Sequence, residues 1–241
     1  MTDLLEQTPL EMIATERLPA GLGGRWYGVY PALVSDIKDP DNQGRVKVTL
    51  PWSPDTGGSR YEAWARLATM MGGNNRGTWF IPDVNDEVLV VFEGGDVRRP
   101  YVVGGLWNGS DTPPDSMDGA GNNYRKVIRS RNGVKLTLDD TSGQEKFIVE
   151  TPGGQKITMQ DGPGAIKVED SNGNSIKLEA SGITITTSAK VTVSATVVAV
   201  SAGMVTVDSA VAKFSGIVTC DTLISNSVIS ASYTPGAGNI W

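Results

Sequence analysis

Ile157-Thr158-Met159, Ile166-Lys167-Val168, Ile176-Lys177-Leu178 and Ile183-Thr184-Ile185 are copies of one apolar-polar-apolar unit, and their spacing decides the fold of the second half of the chain. The unit extends in both directions. Val134-Lys135-Leu136 and Phe147-Ile148-Val149 precede it, and Val191-Thr192-Val193, Val198-Ala199-Val200, Val205-Thr206-Val207 and Ile217-Val218-Thr219 follow. Most copies recur every seven to ten residues, with turn residues between them: Pro152-Gly153-Gly154, Asp161-Gly162-Pro163-Gly164, Ser171-Asn172-Gly173-Asn174, Ser181-Gly182 and Ala202-Gly203. Short strands separated by turns at this period signal a β-solenoid or β-helical fibre.

One chain alone is too thin for that fold. Each strand offers two or three inward apolar side chains, worth roughly 1.5–3 kcal/mol each when buried, against an ordering cost of about 1–2 kcal/mol per residue. A single-chain solenoid needs coils of roughly 20 residues or more to enclose a core. Runs of seven to ten residues suit one face at a time, which predicts three chains winding about a common axis into a triangular prism, with cross-chain hydrogen bonds pairing the strand edges. About a dozen strand steps near 4.8 Å would give a shaft on the order of 60 Å long.

Upstream the pattern is also all-β, of a different kind. Runs at 27–34, 44–50, 61–67, 87–92 and 100–106 are short, β-branched and punctuated by Gly, Pro, Asn and Asp. Five strands in about 80 residues suit a small closed barrel, because closure removes the exposed edges. Trp26, Trp52, Trp64, Trp79 and Trp107 all lie in this part and are expected to bury large aromatic surfaces in its interior. The Pro, Gly and Asp rich tract at 111–123 reads as a linker. Residues 1–22 place Leu4, Leu5, Leu10, Met12, Ile13 and Leu18 at loosely helical spacing broken by Pro9, compatible with a short docking helix, an arm or a flexible tail. The expected division is therefore 1–22 arm or short helix, 23–110 barrel, 111–123 linker, 124–232 shaft and 233–241 blunt tip.

Composition removes most chemistry. The 241 residues include no histidine and one cysteine, Cys220. Ser-His-Asp, Cys-His and histidine-zinc sites are thereby excluded, as is an intramolecular disulfide. A formal charge of −6 disfavours generic nucleic-acid binding. The amino terminus carries acids where a secretory signal has bases, and Val191 to Val207 alternates Val with hydroxyl and small residues instead of forming a solid apolar span. Ten basic and eight acidic residues lie between Arg125 and Lys190, whereas Val191 to Trp241 carries only Asp208, Lys213 and Asp221.

Several motifs have ordinary explanations. Asp39 to Gly44 lacks the distal Glu of a calcium loop and reads as a turn. Gly72 to Thr78 echoes a phosphate loop but has no Lys before Thr78 and no following helix pattern. Arg98-Arg99 reads as an exposed pair beside Asp96, Asn108-Gly109-Ser110 is a glycosylation sequon without secretory context, and Cys220 is expected to pack as a small apolar group in a late strand. Neither a cofactor nor a metal site is predicted.

Asp39-Pro40-Asp41-Asn42-Gln43-Gly44-Arg45-Val46-Lys47-Val48, Ala63-Trp64-Ala65-Arg66, Gly77-Thr78-Trp79-Phe80-Ile81-Pro82-Asp83-Val84-Asn85-Asp86-Glu87-Val88-Leu89-Val90 and the run from Gly95 to Asn108 occur in this order. Together they resemble the OB-fold domain of contractile-tail spike proteins, the family of phage baseplate protein V, the T4-type spike and VgrG. The repetitive half is similar to that family's intertwined trimeric β-helix. The resemblance implies an all-β fold, an N-terminal OB-fold barrel followed by an intertwined homotrimeric β-helix.

It also implies a function: the structural central spike of a phage or phage-like contractile injection system. Such a spike is assembled in the cytoplasm, becomes part of a virion or extracellular particle, docks on a separate hub protein and punctures the target envelope. Two identical chains, the hub, a PAAR-type tip protein and effector cargo are the implied partners; no specific nucleic acid is among them. No hub domains precede the barrel and no lysozyme-like insert follows it, so catalysis is not expected of this chain. The ending 233–241 resembles spikes that finish bluntly under a separate tip, which points to Tyr233, Asn239, Ile240 and Trp241 as tip-binding residues. Three copies of Trp241 around a threefold axis would make an aromatic platform or a hydrophobic plug. Two other readings remain open at this level. A β-helical carbohydrate-active enzyme would need clustered acids on one face, and Glu150, Glu169 and Glu179 are scattered singly. An OB-fold oligosaccharide-binding module would need exposed aromatics and positive charge.

Overall fold

The computed structural model describes residues 24–53 and 60–232, so the arm expected over 1–22 and the candidate tip residues Tyr233, Asn239, Ile240 and Trp241 lie outside the described residues. The chain divides into two units, one ending at Lys190 and the other beginning at Val191.

Five strands of the first unit close into a barrel in the order β1-β2-β3-β7-β6: β1 (Val29–Asp36), β2 (Val46–Thr49), β3 (Glu62–Leu67), β6 (Glu87–Phe92) and β7 (Pro100–Gly105). All neighbours are antiparallel except β3 and β7, which run parallel. The alternation seen in the sequence sorts the side chains. Val88, Val90 and Phe92 of β6 point inward, as do Val46 and Val48 of β2, Ala32 and Val34 of β1 and Ala65 of β3. A five-stranded barrel is narrow, so its interior takes Val, Ala and Leu50, and the expected tryptophan-filled core is not what forms. Trp26 alone among the described tryptophans is buried; it stacks with Tyr61 and meets Phe92 edge-on across one end of the barrel. Trp52 lies half-exposed against Trp26 and Tyr30, while Trp79 and Trp107 are exposed. The Gly72–Thr78 stretch is a minimal hairpin, β4 (Gly72–Gly73) with β5 (Arg76–Gly77), and not a phosphate loop.

Beyond the barrel, seven strands form one antiparallel sheet in chain order: β8 (Arg125–Arg129), β9 (Lys135–Asp139), β10 (Lys146–Glu150), β11 (Lys156–Gln160), β12 (Ala165–Glu169), β13 (Ser175–Glu179) and β14 (Gly182–Thr186). This corrects the expected cross-chain pairing for residues 125–186. Every interior strand of the sheet bonds to its sequence neighbours in the same chain, because two- to six-residue turns make those pairings the cheapest in loop entropy. The register is continuous and brings apolar residues of all seven strands to one face in two columns. One runs Ile128, Leu136, Val149, Ile157, Val168, Ile176, Ile185; the other runs Leu138, Phe147, Met159, Ile166, Leu178, Ile183, with Lys126 opposite Leu138 at its start.

Three turns on one edge of the sheet share one design: Ser130–Val134, Thr151–Gln155 and Asp170–Asn174. In each the first amide donates to the fifth carbonyl and the fourth amide donates to the first carbonyl. The fourth residue is Gly133, Gly154 or Gly173, at φ of +90°, +87° and +83°, where an L side chain is strained. The turns also stack. A Cβ on Gly133 would stand 3.2 Å from Cγ of Pro152, and one on Gly154 would stand 3.0 Å from Cβ of Ser171.

In the second unit, residues 191–232 carry no strand and every one of them is exposed. The strands expected at 191–193, 198–200, 205–207 and 217–219 are not formed, and Cys220 is exposed instead of packed in a strand. In the isolated chain none of those segments is paired with a strand.

Candidate interaction surfaces

The first surface is the apolar face of the sheet. In the isolated chain its residues remain substantially accessible: Ile157, Met159, Ile166, Val168 and Ile176 are each around two-fifths exposed, and Ile183 and Ile185 reach 70% and 59%. Among the described residues the buried hydrophobic core lies wholly within residues 26–102, in the barrel, and none of them covers the sheet's apolar columns. Completing the burial of a half-exposed Ile, Leu or Met yields about 1 kcal/mol each, and the two columns are long enough for that sum to drive association.

The opposite face is polar, and its charges interleave. Arg129, Lys135, Glu150, Lys156 and Glu169 follow one another across the strands, and Arg125, Asp139 and Lys146 do so in a parallel column. Lys135 pairs with Glu150 at 3.7 Å and Lys167 with Glu169 at 2.7 Å, while Lys177 meets Glu179, whose carboxyl is held below its usual range chiefly by that lysine. Glu150, Glu169 and Glu179 are thus each committed to a lysine.

The tract at 111–123 is pinned rather than free. Asp115 pairs with Arg125 at 2.9 Å, and Asp118 accepts the amides of Ala120, Asn122 and Asn123, which lowers its pKa. The tract lines a recess of about 670 Å³ together with Trp107, Tyr124, Arg125, Val127 and Asp139. Val127 and Asp139 belong to the polar face, so the tract lies against that face at β8 and β9. Thr137, between Val127 and Ile148 on the same face, is only 6% exposed.

The second exposed apolar surface belongs to the barrel. Met70, Met71, Trp79 and Phe80 stand out around the β4–β5 hairpin, and Met70, Trp79 and Phe80 border a recess of about 470 Å³ with Gln43, Arg66 and Ile81. The ring of Trp79 packs close over Gly44. Gly44 ends the Asp39 turn, which is a self-sufficient knot. Asp39 accepts the amides of Asp41, Gln43 and Arg45, and its Oδ1 takes the Arg45 guanidinium at 2.6 Å. Arg45 holds the Asp39 carboxyl far below the usual carboxylate range. Both carboxylate oxygens of Asp39 are occupied by donors from the chain, which is the turn expected from the sequence. Arg98 and Asp96 form the expected exposed pair at 2.8 Å, and Asn108 caps its own turn by accepting the amides of Ser110 and Asp111. Tyr61 donates to the carbonyl of Val97 at 2.7 Å, and burial, with the nearby Asp96 charge, pushes its phenol up.

Sequence reasoning located the repeat and the barrel strands. It missed β8, whose Arg125-Lys126-Val127-Ile128-Arg129 hides one inward apolar residue among cations, and it missed the three-turn rule, although Gly133, Gly154 and Gly173 at the fourth place of a Ser/Thr/Asp-led turn were visible as a signal.

A closed five-stranded barrel is thus followed by a sheet with one apolar face exposed, and comparison with known proteins finds a domain match in each part. The family described as the type VI secretion system/phage-baseplate injector OB domain matches residues 30–107, and the phage baseplate V C-terminal trimerisation domain matches residues 146–211. The chain thus carries, in this order, two domains of phage-baseplate and type VI spike proteins. It is similar to the type VI secretion system spike protein VgrG1b of Pseudomonas aeruginosa, 28% identical over 127 residues, which are 50% of this chain and 17% of that protein. VgrG3 of Vibrio cholerae is 29% identical over 115 residues, 45% of this chain and 11% of the relative. VgrG1a of Pseudomonas aeruginosa is 26% identical over 153 residues, 61% and 22% respectively. The chain therefore spans less than a quarter of the length of these curated relatives.

Proposed function

We propose that the protein is the structural central spike of a phage-baseplate or type VI-like contractile injection particle, acting as a homotrimer and not as an enzyme. The single observation that carries this is the two-faced sheet: unbroken apolar columns on one side, interleaved charges on the other. Three such sheets with their apolar faces inward make a closed triangular prism that leaves none of those columns wet. The trimerisation-domain match over residues 146–211 supports the same stoichiometry.

In this reading the barrel docks on a separate hub through the Met70, Met71, Trp79 and Phe80 surface, and the prism and the segment beyond it project towards the target envelope. Tyr233, Asn239, Ile240 and Trp241 then seat a PAAR-type tip protein, and effector cargo travels with the tip. The division proposed is 1–22 arm, 23–110 barrel, 111–123 pinned connector, 124–232 shaft and 233–241 tip. Assembly takes place in the cytoplasm of the producing cell before release in a phage-tail or secretion particle. Driving a rod through a membrane is mechanical work, for which edge-free stiffness is the required property.

The exposed Trp79 and Phe80 beside Arg66 favour one second reading, an oligosaccharide-binding barrel. Sedimentation equilibrium of the full chain separates the two: the spike requires three times the 25.5 kDa chain mass. A monomer that binds oligosaccharides and loses binding on Trp79→Ala would replace the spike reading.

A further inference from the structure

The recess beside the connector at 111–123 has no part in the spike reading. It is set at a corner of the sheet, where Arg125 opens β8 and Asp139 closes β9 opposite it in the register. The amide of Asp140 donates to the carbonyl of Tyr124 at 2.9 Å and extends that pairing by one step. The other wall is the connector itself, clamped by Asp118 through three backbone amides and by the Asp115–Arg125 pair. Both walls are therefore ordered before anything enters, which removes part of the entropic cost of binding. At about 670 Å³ the space falls within the roughly 300–1,000 Å³ of small-molecule sites.

Two kinds of surface meet there. Trp107 is 68% exposed and Tyr124 38%, so ring area is open on both. The polar groups are only half engaged. Among the described residues, Asp115 uses Oδ1 alone, for Arg125 and the amide of Ser116, and Asp139 uses Oδ1 alone, for the amide and hydroxyl of Thr141. Each keeps Oδ2 for a further donor. Arg125 uses only Nη2, on Asp115 and the carbonyl of Ser116, which leaves Nε and Nη1.

That combination selects a class of ligand. A purely apolar molecule would cover the rings but strand the carboxylates and the guanidinium without partners. A phosphate or sulfate ester would meet the carboxylates of Asp115, Asp118 and Asp139 against the single guanidinium of Arg125. A sugar ring satisfies both surfaces. Its C–H face lies on an aromatic plane, while its neighbouring hydroxyls donate to carboxylate oxygens and accept from guanidinium N–H groups.

We infer that this recess binds a short neutral oligosaccharide, stacked on Trp107 and Tyr124 and hydrogen-bonded by Asp115, Arg125 and Asp139. The site is distinct from the Trp79 recess of the barrel, with which it shares no residue. It borders the polar face of the sheet, which the trimeric reading turns outward, so it is open in a monomer and a trimer alike and does not depend on that reading.

The test titrates the full chain calorimetrically with three probes: acetylated chitotriose, cellotriose and a sulfated heparin disaccharide. At least one neutral trisaccharide is expected to bind, and the sulfated disaccharide is not. Trp107→Ala should weaken binding by about tenfold or more and Asp139→Asn by about threefold, whereas Trp107→Phe, which keeps a ring, and Trp79→Ala should leave it nearly unchanged. Saturation-transfer NMR should show protein contact at the sugar's ring C–H protons, lost in Trp107→Ala. The absence of heat from both neutral trisaccharides at millimolar concentration would overturn the inference. So would equal affinity for the sulfated disaccharide, or binding that survives Trp107→Ala and is lost in Trp79→Ala. The sedimentation mass that tests the spike is a separate measurement, so either reading can fail without the other.

Discussion

Nη1 of Arg131 donates to Oδ1 of Asp83 across 2.8 Å, joining the first turn of the sheet to the barrel loop that follows Trp79 and Phe80. The pair is 48 residues apart in sequence and mostly exposed on the arginine side. Exposed pairs of this kind are worth ~0.2–1 kcal/mol. A double-mutant cycle with Asp83→Asn and Arg131→Gln should give a coupling energy inside that range, falling as salt is raised. A coupling above about 2 kcal/mol would show that this contact is desolvated, in conflict with its exposure.

Gly154 and Gly173 occupy the same place in successive turns at nearly the same φ, but only Gly154 has a neighbour against it. Gly173→Ala should cost about 1–2 kcal/mol for the backbone conformation. Gly154→Ala should cost more, about 2–3 kcal/mol, since its Cβ would press on Ser171. Thermal unfolding of the two variants reads the difference as a further few degrees in Tm for Gly154→Ala; equal losses would mean that the turns do not stack.

Acid should loosen the turns before it loosens the barrel core. Asp39 is held low by Arg45, Asp96 by Arg98, Asp118 by the amide of Asn122, Asp139 by the hydroxyl of Thr141 and Asp170 by the side chain of Asn174. For a carboxyl depressed in the folded state, the stabilisation is complete above the unfolded value near 3.9 and is lost as pH falls below it towards the folded value. Urea denaturation should therefore show little change between pH 8 and 5 and a steady loss below pH 4. Asp39→Asn should flatten part of that slope, an outcome that an unchanged acid profile would contradict.

The two faces of the sheet predict opposite responses to one substitution type. Ile166→Asp places a charge in the proposed prism core and should convert the trimer to lower-mass species. Thr158→Asp, on the polar face, should leave the mass unchanged. Equal behaviour of the two variants in sedimentation would remove the apolar face as the interface.

Trp79→Ala and Phe80→Ala remove exposed side chains and should change barrel stability by less than about 1 kcal/mol while weakening capture by a hub protein at least tenfold. Retention of full hub binding in the double variant would move the docking surface elsewhere on the barrel.

The alternation of Val88, Val90 and Phe92, or of Ile157 and Met159, is a strictly local property, because successive residues of a strand point to opposite sides wherever the strand lies. Such residues made the all-β class, the five barrel strands and the middle strands of the sheet readable in sequence. β8 escaped because its one inward residue, Ile128, is recognised only once Leu136 stands opposite it.

What the sequence by itself determined is the alternation and the absence of histidine chemistry, since those follow from residue identity and spacing alone. Only the tertiary structure decided which strands pair within the chain, that Trp79 lies outside the barrel instead of in it, and that the tract at 111–123 is held by Arg125. Pairing partners and burial depend on contacts between residues distant in sequence, and a period of two is equally compatible with a strand bonded to its own chain or to another.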